Sequence, residues 1–269
     1  MIYFSIDKDK MGLLSAKKSM HHAIMTWGGI ALIGQWLFSA YIFILYAMPL
    51  VLGITKQAEL VSPTSGYDAS GSVQSAVFFG HIIPAIILAI SGLFQLIPQM
   101  RKRFVHFHRW NGRIFFTLGL GLRLSNLGAM GITLNGLLIP IAVILAWKYA
   151  VSQQFAQHRR FAVHSFLLVN GVWTFRLYLM GWYMLNQGKN GNTSTLDGPV
   201  DIFFSFACYL LPMLVAELYF WAVRQTLERV KWLITGLFIL GSGITLLGIV
   251  AAFIMMWYPR VNKILMLIG

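Results

Sequence analysis

Arg123 and Arg176 stand inside long apolar stretches of the chain. At the centre of a membrane-spanning helix a charge costs at least about 2.5–3.5 kcal/mol to insert, so it faces a partner or a wet cavity. Their chemistry would be that of counter-charges to an anion. His81 lies six residues into the apolar stretch that precedes them, about 9 Å deep if that stretch spans from the outside. On this reading it is level with Arg176, and the three residues are candidates for one intramembrane polar site.

A second set gathers where apolar stretches end. His21, His22, His106, His108, His158 and His164 account for six of the seven histidines, and Glu217 is placed at a depth similar to that of His164. Imidazoles ligate metals. Within one helix, however, His158 and His164 are six residues apart and His106 and His108 two apart, spacings that do not bring a pair onto one face. A metal held by His108, His158 and His164 would therefore draw them from different helices, as a bis-histidine haem b does, with arginines such as Arg109, Arg113 and Arg159 for its propionates. Nothing in the chain resembles a nucleophile elbow, a phosphate-binding glycine loop, a zinc-protease helix or a paired-carboxylate site, so hydrolase chemistry has no support.

These residues must be positioned by membrane helices. The chain is 58% hydrophobic and 11% charged, against about 25% charged in an ordinary soluble domain. Residues 19–55, 69–100 and 232–259 hold no Asp, Glu, Lys or Arg, 161–188 hold only Arg176, and 202–223 hold only Glu217. Because about 20 residues cross the apolar core of a bilayer, these stretches predict spans near 27–52, 75–99, 161–185, 201–222 and 233–257. The stretch 113–152 is too long for one crossing, and Gly131-Ile-Thr-Leu-Asn-Gly136 supplies turn residues that would divide it into spans near 113–130 and 137–152. The expected fold is an all-α, polytopic transmembrane bundle of about seven spans. It comprises a cytoplasmic tail (1–22), a seven-helix domain (23–259) and a short C-terminal tail (260–269).

Lysine and arginine concentrate on cytoplasmic loops. With the N-terminus inside, fifteen of the 21 fall on the inner side: four in the tail, five within 101–113, then Lys148, Arg159, Arg160, Arg224, Arg229 and Lys231. Lys56, Lys189, Arg260 and Lys263 fall outside. The formal charge of +13 is thereby matched to anionic lipid head groups, and no nucleic-acid partner is expected. The first apolar run is too long for a cleaved signal peptide and reads as a retained span. The single cysteine, Cys208, excludes an intramolecular disulfide, a C-x-x-C-H haem attachment and an all-cysteine iron–sulfur cluster.

Four motifs occur in order: His81 followed by Gly92-Leu-Phe-Gln-Leu-Ile-Pro98, then His108-Arg-Trp-Asn-Gly-Arg113, then His158-Arg-Arg-Phe161, then Arg176-Leu-Tyr178. Over residues 75–180 the chain resembles a bacterial family of predicted membrane proteins, domain of unknown function 2306. The resemblance implies a shared scaffold with His81, His108, Arg109, Gly112, Arg113, His158, Arg159 and Arg176 as marked positions, and a home in the bacterial cytoplasmic (inner) membrane. It implies no reaction, and nothing here decides whether the protein is an enzyme. Three functions stay open. One is electron transfer with haem b or a quinone bound between helices, the leading expectation. Another is binding or transport of a small anion or lipid-like molecule, and the third is an accessory role with a membrane-protein partner or a second copy of the chain.

Overall fold

The computed structural model of the protein describes residues 3–62, 73–92, 102–119 and 130–268. It is 86% helix, with no strand among the described residues. The helices are α1 (Tyr3–Ile42), which runs through a π-helical turn (Phe43–Ala47) into α2 (Met48–Leu52); α3 (Thr55–Glu59); α4 (Val73–Ser91); α5 (Val105–Gly119); α6 (Met130–Val151); α7 (Phe155–Val169); α8 (Gly171–Leu185); α9 (Pro199–Arg224); and α10 (Glu228–Ala252), which runs through a second π-helical turn (Phe253–Trp257) into α11 (Tyr258–Met266).

Among the described residues, four helical stretches are long and apolar enough to cross a membrane: Leu14–Leu52, Gly131–Val151, Pro199–Arg224 and Glu228–Met266. The first and last have 39 residues each, about 58 Å at 1.5 Å per residue, so each extends well beyond an apolar core of about 30 Å.

Two expectations from the sequence need correction. Gly131–Gly136 is no turn, because it is the first part of α6. Its turn-forming residues instead serve helix contact. A Cβ at Gly131 would meet the backbone of Ser205 at 2.6 Å, and the Tyr209 hydroxyl donates to Gly131 O at 3.1 Å. Asn135 Nδ2 donates to Leu168 O at 3.0 Å. In lipid, helices gain little by hiding apolar surface from one another, so small residues and interhelical hydrogen bonds take over. The second correction concerns the predicted span 161–185, which is interrupted at Asn170 into α7 and α8. Asn170 sits at φ −86° and ψ 4°, and its carbonyl accepts from both the amide and the hydroxyl of Thr174. Asn135 reaches across from α6 to occupy the carbonyl of Leu168 just before the interruption, so the freed backbone group is not left bare. Of the expected span near 113–130, residues 113–119 belong to α5, which begins at Val105, and residues 120–129 lie outside the described residues.

The chain divides into two compact units, one of residues 1–31 and 122–248 and the other of 32–121 and 249–269. In the first unit, α6, α7 and α9 enclose Ala142, Leu168, Cys208 and Tyr209. The N-terminal half of α1 closes on α9 and α10 through Met20, Ala222 and Ile234. α9 begins at Gly198-Pro199, where the buried Asp201 accepts the amides of Gly198 and Thr193 at 3.2 and 2.9 Å. It ends where the buried Lys231 of α10 donates to Ala222 O at 2.9 Å and Gln225 O at 2.7 Å, answering the exposed carbonyls of a helix C-terminus with a cation. In the second unit Trp257 lies among Phe38 and Tyr41, ring centroids 5.7 and 6.0 Å away, and Arg260 Nη1 donates to the Tyr41 hydroxyl at 3.3 Å.

Candidate functional site

The densest group of functional side chains among the described residues forms where the first part of α7 meets the last third of α9. Arg160 and His164 are four residues apart and so share a face of α7. Both reach Glu217, the one acidic residue of the apolar stretch 202–223. Arg160 donates through Nε to Oε1 and through Nη2 to Oε2, each at 2.6 Å, the bidentate geometry in which a planar guanidinium matches a carboxylate. His164 Nε2 lies 2.5 Å from Oε1. The carboxylate can only accept from Arg160, so its contact with His164 is drawn as Nε2–H donating. The side chains are 8% exposed for His164, 33% for Glu217 and 44% for Arg160. The other ring nitrogen of His164, Nδ1, is buried with no hydrogen-bond partner among the described residues. The hydrogen bond from Arg160 to Glu217 raises the guanidinium pKa above its ordinary value, outweighing the opposing effect of burial.

His158 is oriented differently. Its Nδ1 is 2.9 Å from the carbonyl of Ala146 on α6. A carbonyl only accepts, so Nδ1 carries the proton, and in the neutral ring Nε2 is a bare acceptor. Arg159, exposed, donates from Nη2 to the Tyr219 hydroxyl at 3.4 Å, and its Cζ lies 6.0 Å from the centre of the Phe220 ring. Phe161 stacks on Tyr149 of α6 with ring centroids 5.5 Å apart and meets His164 edge-on. These rings fix the α6–α7 hairpin from which the basic side chains project.

Of the residues singled out in the sequence, the structure joins His164 to Glu217, sets Arg159 against Tyr219 and Phe220 of the same helix, and turns His158 away to α6. It adds Arg160, which the sequence reading counted among the inner-side charges and within the His158-Arg-Arg-Phe161 motif but did not single out as a site residue. The signal that could have found it was its i, i+4 relation to His164, set against a lone acid in the apolar stretch of a later helix. His108, Arg109 and Arg113 lie on α5 in the other unit, with Arg113 over the Trp110 ring at 5.2 Å. Arg176 is half-buried on α8. Arg123 lies outside the described residues, as does the side chain of His81, whose backbone belongs to α4. Among the described residues no three His, Cys, Asp or Glu side chains are grouped to hold a metal ion. A cavity of about 20 Å³ between α6, α8 and α9, lined by Asn135, Gly171, Ser205 and Cys208 among others, has room for a water but not for an organic cofactor.

Neither a curated protein nor a solved structure matches the chain. A family model described as predicted membrane protein (DUF2306) matches residues 78–220, more than half of the sequence, from α4 to the Tyr219–Phe220 pair of the site. The protein therefore belongs to the DUF2306 family of predicted membrane proteins.

Proposed function

We propose that the protein is a seven-span component of a bacterial cytoplasmic membrane, its N-terminus on the cytoplasmic side, that binds a small acidic amphiphile at the inner ends of α7 and α9. One observation carries this reading. Of two consecutive arginines, Arg160 has its charge matched by Glu217, whereas Arg159 has no carboxylate partner among the described residues and lies exposed across Phe220. An aromatic ring supports the guanidinium by its face and leaves most of the fork's donors open to an anion. The clustering of basic residues at the predicted inner ends supports the same orientation, because an acidic head group would meet its counter-charge there. Arg176, half-buried on α8, would provide counter-charge deeper along the helices.

Titration of the detergent-purified protein with oleate, followed by native mass spectrometry, tests this reading. Arg159→Gln is expected to weaken binding about tenfold, which corresponds to about 1.4 kcal/mol. No retained oleate, or equal retention by the variant, would overturn it.

A second reading rests on His158. An imidazole whose Nδ1–H is held by a backbone carbonyl presents Nε2 in the manner of metal-bound histidines. This supports electron transfer with a haem b, His158 providing one axial ligand. Absorption spectra of the oxidised and dithionite-reduced protein decide it. A Soret band that disappears in His158→Ala is the expected result, and a colourless, metal-free protein would remove the redox reading.

A further inference from the structure

An asparagine followed by glycine is open to attack by its own main chain, because glycine puts no Cβ in the way of the amide nitrogen that must reach the side-chain carbon. The chain holds four such pairs, at 111–112, 135–136, 170–171 and 190–191. The fold treats them differently. Gly112 and Gly136 lie inside α5 and α6, where a helix commits each amide to the carbonyl four residues back, and Asn111 and Asn135 are buried. Gly171 is buried, and the side chain of Asn170 is held by Nδ2 donating to Phe166 O at 2.8 Å.

Asn190 and Gly191 are both exposed, in the loop between α8 and α9. Gly191 sits at φ 72°, and its amide donates to no acceptor among the described residues. The carbonyl of Asn190, the other half of the same peptide unit, accepts from Trp182 Nε1 at 2.8 Å. A donor on that oxygen draws charge out of the peptide and stabilises the amidate left when the Gly191 proton departs. From this combination we infer that Asn190 is a site of spontaneous deamidation, primed by Trp182, whose product loosens the start of α9. Hydroxide removes the Gly191 amide proton, the nitrogen bonds to Cγ of Asn190, and the Cγ–Nδ2 bond breaks as ammonia leaves. Water then opens the cyclic imide to aspartate or isoaspartate. The change reaches α9 because the loop holds its first turn: Gly191 O accepts from Val200 N at 3.1 Å, and Asn192 Nδ2 and Thr193 N donate to the buried Asp201 at 2.7 and 2.9 Å. An isoaspartyl link lengthens the main chain by a methylene, releases from it the carbonyl that Trp182 holds, and adds a negative charge to a loop that already carries Asp197.

The test incubates the detergent-purified, full-length protein at pH 8 and follows each asparagine–glycine pair by peptide mass spectrometry, with isoaspartate read by enzymatic methylation. Asn190 should convert at least about tenfold faster than Asn111, Asn135 and Asn170, which react only when their helices open locally. In peptides cut from the protein before incubation that gap should close. Trp182→Phe should slow conversion of Asn190 roughly threefold, and Asn190→Gln, whose longer side chain closes the imide ring slowly, should abolish it. Hydrogen exchange at the amides of Thr193 and Val200 should quicken in the aged protein but not in aged Asn190→Gln. Equal conversion of the four pairs in the folded protein, an intact Asn190, a gap that persists in the peptides, an unchanged rate in Trp182→Phe, or unaltered exchange after conversion would overturn the inference.

Discussion

Glu217 holds two partners, and the structure predicts which of them it holds more tightly. Arg160 makes two hydrogen bonds and carries a permanent charge, so a count of contacts favours it. Burial points the other way. The Arg160 and Glu217 side chains are 44% and 33% exposed, and ion pairs open to solvent are typically worth about 0.2–1 kcal/mol, because water already solvates both charges and ordering a long side chain costs entropy. His164 is 8% exposed. Losing its carboxylate would leave a buried Nε2–H without an acceptor, a desolvation cost of about 1–3 kcal/mol. Polar pairs in membrane bundles reach about 1.7 kcal/mol at most. The coupling energy is therefore expected near 0.5–1 kcal/mol for Arg160·Glu217 and near 1.5 kcal/mol for His164·Glu217. Two double-mutant cycles, built from Arg160→Ala, His164→Ala and Glu217→Ala and read by SDS-driven unfolding in mixed micelles at pH 7.5, measure both. An Arg160 coupling equal to or larger than that of His164 would refute the idea that burial outweighs bond number at this junction.

Lys231→Met should lower stability by about 2–3 kcal/mol in the same unfolding assay, because the carbonyls of Ala222 and Gln225 lose a buried cation and gain nothing. Gly248→Ala should cost about 1–3 kcal/mol, since its Cβ would meet Leu177 Cβ and the Leu177 carbonyl oxygen at 2.7 Å, whereas Gly243→Ala, with open space around it, should be neutral or slightly stabilising. In the loop between α8 and α9, hydroxyls of Thr193 and Thr195 donate to Asp197 and hold its carboxyl below the ordinary value of 3.8. A depressed pKa means that the stabilisation is present above the ordinary carboxylate range and is lost as pH falls through the lower folded value. The melting temperature of Asp197→Asn should accordingly lie below that of the parent at pH 6 and converge with it as the pH falls through the lowered folded value.

The long apolar helices were legible because charge-free length is a one-dimensional property that a bilayer reads directly. α9 and α10 lie close to where the stretches 202–223 and 232–259 put them. Breaks were less legible, because glycine and asparagine have two uses in lipid. In Gly131–Gly136 they let α6 approach α9 and bond α7, and no turn forms. In Asn170-Gly171, an Asn-Gly pair with the stronger turn signal, the helix is interrupted. Composition cannot separate the two cases, because the outcome depends on what the neighbouring helix offers. The site was half legible for a related reason. Glu217 and His164 stood out because an acid or imidazole in an apolar stretch demands explanation. Arg160 did not, because arginine at the end of a span is what orientation alone predicts.

The same reasoning explains why the His158-Arg-Arg-Phe161 segment should not behave as a single basic patch. Consecutive residues on a helix project about 100° apart, so neighbouring side chains in it face different partners. His158 turns to the carbonyl of Ala146, Arg159 to Phe220 and Arg160 to Glu217. The charge of Arg160 is spent on holding α7 to α9, while that of Arg159 stays open. Substituting Arg160 should lower stability and leave ligand retention per folded molecule intact, and substituting Arg159 should do the reverse. A matching loss of both properties in both variants would mean that the two arginines act as one diffuse field, and the division of labour drawn from their partners would be wrong.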